Sequence, residues 1–266
     1  MTDASGSARP NGEAPARHTP GTPCWASLMV HGPAATQEFY GALFGWEFQP
    51  GPQQLGPCLR ALLGGREVAG IGHLPPDLHL PVAWTPHFAS DDVDLTAESV
   101  RLRGGTIGVG PLDAADAGRL AIGSDPSGAV FGIRQAPAHH GTAVSDVPGT
   151  PVWNELVTFE SENIAKFYAT VFGYEEEPDV SVDHDHVTLR LDGRPVAAVH
   201  GRGRALAHDR GAHWTTYFRV ADTDDALEQV RRLGGHVAGA ARDTPRGRVA
   251  AVTDPEGARF SLLGPR

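Results

Sequence analysis

Apolar positions along this chain fall into short segments of two kinds, and their order predicts the fold. Cys24–Val30 reads as a strand. Ala34–Leu43 reads as a helix, because Phe39, Leu43 and Phe44 sit at helical spacing. Three short strands follow, ending near Ile71. The pattern then starts again with a strand at Trp84–Ser90 and a helix at Val93–Leu102, where Val93, Val100 and Leu102 form the apolar set. Three more strands end near Arg134. Gly104-Gly105 and Gly234-Gly235 supply the left-handed stop a helix end prefers. Asp125-Pro126-Ser127-Gly128 and Asp254-Pro255-Glu256-Gly257 place a tight turn before a last strand, with Pro pre-setting φ and Gly suiting the fourth position. Each unit is therefore βαβββ.

The pattern is also a repeat of the whole first half. Gly21, Thr22, Pro23, Trp25 and Leu28 recur as Gly149, Thr150, Pro151, Trp153 and Leu156. In the same register Phe39-Tyr40 recurs as Phe167-Tyr168, Phe44-Gly45 as Phe172-Gly173, and Gly65-Arg66 as Gly193-Arg194. Trp84 answers to Trp214 with only a small drift, as loop insertions produce. The expected organisation is a leader at 1–20, a first domain at 21–136, a linker at 137–148 and a second domain at 149–266. The leader is rich in Gly, Pro, Ser and Ala and reads as disordered.

Composition narrows the function classes. The chain has 266 residues, 40% of them hydrophobic and 20% charged, as an ordinary globular protein does. A net charge of −10 with no basic tract argues against nucleic acid and anionic membrane as partners, since both demand clustered Lys and Arg. The leader lacks the apolar core of a secretory signal, and no run of about 18 apolar residues could span a bilayer. The two cysteines, Cys24 and Cys58, read as reduced, buried thiols. The expectation is a cytoplasmic monomer or homodimer.

The strand before a Phe-Tyr helix and a Phe-Gly-Trp or Phe-Gly-Tyr step, then a Gly-Gly helix end and an Asp-Pro-x-Gly turn, resemble the paired modules of the vicinal-oxygen-chelate (glyoxalase/bleomycin-resistance/dioxygenase) family. The resemblance covers about residues 21–136 and 149–264. It implies an α+β fold: four βαβββ modules forming two open, cup-like mixed β-barrels with helices outside. Whether modules pair within a copy or across copies stays open at this stage.

Metal-dependent members of that family resemble one another in carrying His or Glu/Gln on the first and last strands of the modules. Here the corresponding positions hold Trp25 and Trp153, Thr85 and Thr215, and Gly132 and Ser261. None is a credible donor for a divalent ion. A shift by two positions keeps the facing and brings in His87, Glu155 and Tyr217, of which only His87 and Glu155 could begin a metal site. The resemblance therefore implies no metal and no cofactor.

What remains is aromatic and sparsely polar. Trp25 and Trp153 are expected to point into the cups with Ser27 and Glu155, either as flat walls for a planar ligand or as plugs of the vacated site. In the second copy Glu155, Tyr217 and Arg219 alternate inward, with Arg259 from the last strand, and a Glu–Arg pair beside a phenol could orient a ligand or transfer a proton. A structural ion pair is the plainer alternative. In the first copy Ser27, Thr85 and His87 face the cup, with His87 a general base or a hydrogen-bonded core residue. His184-Asp185-His186 reads as a solvated turn. The leading expectation is a metal-independent binder of a planar, aromatic natural product or antibiotic, for resistance or biosynthesis, using Trp25, Ser27, Thr85, Trp153, Thr215, Arg219 and Ser261. The alternative is a metal-independent enzyme of secondary metabolism (an accessory hydroxylase, cyclase or isomerase) working through Glu155, Tyr217 or His87. A metal-dependent glyoxalase or extradiol dioxygenase comes third.

Overall fold

The computed structural model describes residues 18–75, 77, 80–136, 146–179, 185–206 and 211–266. Most of the expected leader and linker, and His184, lie outside them. The first copy contributes β1 (Pro23–Val30), α1 (Pro33–Phe44), β2 (Glu47–Pro50), β3 (Cys58–Leu63) and β4 (Arg66–His73). Its second module follows as β5 (Trp84–Ala89), α2 (Val93–Leu102), β6 (Thr106–Asp113), β7 (Arg119–Ser124) and β8 (Val130–Gln135). The second copy repeats this with β9 (Pro151–Thr158), α3 (Glu162–Phe172), β10 (Glu175–Pro178), β11 (His186–Leu191) and β12 (Arg194–Gly201). It ends with β13 (His213–Arg219), α4 (Thr223–Arg232), β14 (His236–Val237), β15 (Arg242–Thr244), β16 (Gly247–Thr253) and β17 (Arg259–Gly264). The fold is α+β, built from four βαβββ modules, in the last of which the strand after the helix is split into β14 and β15, both paired with β16.

Local chemistry sets the helix boundaries. The Asp92 and Asp222 carboxylates accept the backbone N–H of Leu95 and Asp225, each at 3.0 Å, and so start α2 and α4. Helices α1 and α3 stop at Gly45 and Gly173, whose φ of 72° and 76° a side chain would resist.

Strands pair within each copy. The first sheet runs β2-β3-β4-β1-β5-β8-β7-β6, and the second runs β10-β11-β12-β9-β13-β17-β16-β14 with β15 on β16. In both, the first strand of a module lies parallel to its last, and the two modules join through an antiparallel pair, β1–β5 or β9–β13. The question of module pairing thus has a double answer. Hydrogen-bonded cups form within a copy, whereas the helix-side cores form across copies. Phe39, Tyr40, Trp46 and Trp84 of the first copy share one core with Phe218, Leu227, Val230 and Phe260 of the second. Phe88, Val100 and Phe131 share the other with Tyr168, Phe172 and Trp214. Even-numbered residues of β1 and β9, such as Leu28 and Leu156, enter these cores, which leaves the odd ones to line the cups. Among the described residues no helix is long and apolar enough to cross a membrane.

Candidate ligand site

Inside the second cup, Glu155 stands at mid-strand on β9. Strand register sets Thr215 of β13 opposite it on one side and Ala198 of parallel β12 on the other. Two residues further along β12, His200 presents Nδ1 to Glu155 Oε1 at 3.1 Å. From β13, Tyr217 donates its hydroxyl to Glu155 Oε2 at 2.8 Å. Both carboxylate oxygens are therefore engaged. Burial acts to raise the Glu155 carboxyl, but the bonds from His200 and Tyr217 outweigh it and hold the group below the ordinary glutamate range. Burial and the Glu155 charge push the Tyr217 phenol well up, so it stays a donor, and Ser261 of β17 adjoins it in the parallel register. His186 begins β11 directly across from His200, their rings edge to face at 5.9 Å. Burial lowers the affinity of His186 for a proton, with Glu155 opposing.

Trp153 lies on the same face, and its register partner is Tyr217. It is 6% exposed, so of the two sequence readings it follows the plug rather than the open wall. Arg246, in the turn between β15 and β16, lays its guanidinium over the indole at 3.4 Å from the ring centre. The flat surface turned to the cup is thus a guanidinium backed by tryptophan.

The same positions in the first cup are filled differently. By register His87 stands where Tyr217 does, Ser27 where Glu155 does, and Gly70, Gly72 and Gly132 where Ala198, His200 and Ser261 do. Each of those glycines leaves room that a ring or a long side chain takes up. Trp25 packs at Gly70, Met29 at Gly72 and His87 at Gly132. His87 is buried, with Nε2 2.7 Å from Ser27 Oγ and with Nδ1 lacking a partner among the described residues. Burial, with the Arg134 charge second, pushes its imidazole down to about 3. Arg134 from β8 covers Trp25 at 4.6 Å and is itself buried. Thr85 pairs across from Ser27. The first cup is packed with its own side chains, and the polar cluster belongs to the second.

Several sequence expectations change here. Arg219 does not pair with Glu155. It binds Asp146, with Nε 3.0 Å from Oδ1, because it sits at the end of β13 beside the segment leading into β9. Arg259 opens β17 and is exposed. Of His184-Asp185-His186, Asp185 is exposed just before β11 and accepts the backbone N–H of Ser161 at the start of α3, at 3.1 Å, whereas His186 departs from the solvated-turn reading by lying on the cup face. Sequence reasoning missed His200 and Arg246. His200 sits on a module's fourth strand, whose register against β9 is non-local, and Arg246 lies in a turn.

Metal donors can be tested on this geometry. Glu155 and His200 offer one oxygen and one nitrogen, and both Glu155 oxygens already accept bonds from protein groups. His186 is the nearest further nitrogen donor, but its ring centre stands 5.9 Å from that of His200, and the other strands add Tyr217 and Ser261. Among the described residues no three of His, Cys, Asp and Glu gather where one ion could hold them. The set does not fit a divalent metal, which asks for three or four convergent donors.

Comparison with known proteins agrees with the fold. A family model described as a glyoxalase-like domain matches residues 157–263. CFP32 of Mycobacterium tuberculosis, a candidate glyoxylase by name, is 34% identical over 251 residues, spanning 92% of this chain and 95% of that one. The anthracycline biosynthesis protein DauV of Streptomyces sp. strain C5 is 33% identical over 264 residues, spanning 93% and 94%. Among solved structures, the 2,3-dioxygenase LapB from Pseudomonas sp. KL28 superposes with a TM-score of 0.65 at 14% identity over 93% of each chain. That last likeness is one of fold.

Proposed function

This chain belongs to the vicinal-oxygen-chelate family, and from that premise we propose that it binds a planar aromatic natural product in its second cup, without a metal. One observation carries the reading. The second cup keeps Glu155, His200 and Tyr217 joined and partly buried beside an Arg246 plane, where the first cup has filled the same places with its own side chains. Polar groups held inside an apolar fold cost stability unless paired, so three of them converging on a cup favour a ligand role. Arg246 offers a flat cation for an electron-rich ring system, and the Glu155 cluster offers hydrogen bonds to its carbonyl or phenol groups. The name of DauV supports a polycyclic aromatic ligand and a place in secondary metabolism.

The test is a fluorescence titration with quinizarin, a dihydroxyanthraquinone. Arg246→Ala, a change at an exposed turn, is expected to weaken binding tenfold or more, equivalent to about 1.4 kcal/mol. Trp25→Ala is expected to leave it unaltered. Equal affinity in wild type, Arg246→Ala and Trp153→Ala would sink the proposal.

A further inference from the structure

We propose that His200 is a proton acceptor for the ligand of the second cup, oriented by Glu155, and that this site enolises aryl ketones. The assignment rests on the ligand reading above and adds a reaction to it. Glu155 is ionised, so the bond between its Oε1 and His200 Nδ1 needs the proton on the imidazole. That fixes the tautomer: Nδ1–H points at the carboxylate, and the lone pair of Nε2 is left for a substrate. A carboxylate behind an imidazole also holds the ring in the orientation a base needs. His200 is about a quarter exposed, and Glu155 less, so the base can meet a ligand while its orienting group stays inside. Among the described residues the charged and titratable groups facing this pair are Tyr217 from β13, His186 from β11 and Arg246 from the β15–β16 turn. Asp179, just beyond β10, acts on His186.

The step balances with no oxidant or reductant. An α-carbon C–H bond of the ketone breaks, and its proton moves to His200 Nε2. The C–H electron pair becomes the enolate double bond, and the carbonyl pair moves onto oxygen, where the Arg246 guanidinium receives the charge. Return of a proton from Nε2 to carbon restores the ketone. The first cup has Ser27, Gly72 and Cys58 at the positions of Glu155, His200 and His186, so it offers no such dyad.

The experiment follows deuterium entering the α-position of 1-tetralone in D2O by proton NMR, with quinizarin binding measured on the same samples. Wild type is expected to accelerate exchange, and His200→Gln to lower that acceleration at least a hundredfold when both are compared at saturating ketone, so that any change in affinity drops out. Glu155→Gln should lower it about tenfold or more, and Glu155→Asp should recover part of the loss. Nitrogen-15 NMR of the free protein should show His200 protonated at Nδ1 with bare Nε2, a signature lost in Glu155→Gln. If quinizarin binds but exchange is equal in wild type and His200→Gln, or His200 carries its proton on Nε2, the base assignment falls and the ligand reading stands. If quinizarin fails to bind, both fall together.

Discussion

His87 and Glu155 show how one kind of burial leads to opposite charge states. Glu155 finds two donors, so its carboxyl is held low despite desolvation and adds stability above the ordinary glutamate range, lost as pH falls through its lowered folded value. Among the described residues the His87 ring bonds Ser27 alone, and burial drives its imidazole down to about 3, so it stays neutral. For His87 the folded value lies below the unfolded one of 6.5. The unfolded chain therefore binds the proton first, and stability is complete above pH 6.5 and falls as pH drops toward 3. The slope is about 1.4 kcal/mol per pH unit, or on the order of 2 kcal/mol between pH 6.5 and 5. His87→Gln is expected to remove that slope, so urea midpoints at pH 7 and pH 5 should lie closer together than in wild type. Parallel losses in the two proteins would show that His87 does not titrate this way. Of the site residues, Glu155, Tyr217 and the inward tryptophans follow from period-two alternation along single strands. His200 does not, because its place beside Glu155 depends on how far β12 slides along β9.

At the scale of elements, the helix starts differ between copies in a way the sequence repeat hides. Helix α1 is preceded by Gly32, which has no side chain to cap it. Glu256, from the turn before β17 in the other copy, accepts the backbone N–H of His31 at 2.8 Å and of Gly32 at 2.7 Å. Its counterpart in the first copy is Ser127, too short for the task, and the Ser161 N–H at the start of α3 is instead met by Asp185. Glu256→Ala should cost about 1–2 kcal/mol, the usual loss of a charged cap that serves orphan amides. Ser127→Ala should cost less, since Asp125 still accepts the backbone N–H of Ala129 that orders its turn. Thermal unfolding of the two variants checks the ranking, and an equal shift would remove the cross-copy cap as its cause.

For the molecule as a whole, the two cups hold together through what lies behind them. Tyr40 donates to Asp254 at 3.1 Å and accepts from the Trp84 indole at 3.0 Å. Tyr168 repeats this with Asp125 at 3.0 Å and Trp214 at 3.1 Å. Each aspartate comes from the opposite copy, and each cluster sits in a core to which both copies contribute. A copy made alone would expose half of two aromatic cores, at about 25 cal/mol for every Å² of apolar surface left in water. Residues 18–136 and 146–266 expressed separately are accordingly expected to lack a near-ultraviolet circular dichroism signal and to aggregate. Co-expressed, they should elute together as a folded pair. Two well-folded, independent halves would contradict the shared cores.

The sequence by itself determined the βαβββ order, the twofold repeat, the helix stops and the inward set of the first strands, all properties of local period and turn chemistry. It also determined the family, because the motifs that mark it are themselves local. Only the tertiary structure decided that sheets close within a copy while cores close across copies. It decided as well that one cup is packed by its own rings, and that His200 and Arg246 reach the Glu155 cluster. The physical reason is the same in each case. These outcomes depend on strand register and on which apolar face meets which, and such contacts join residues far apart in sequence whose pairing no single segment encodes.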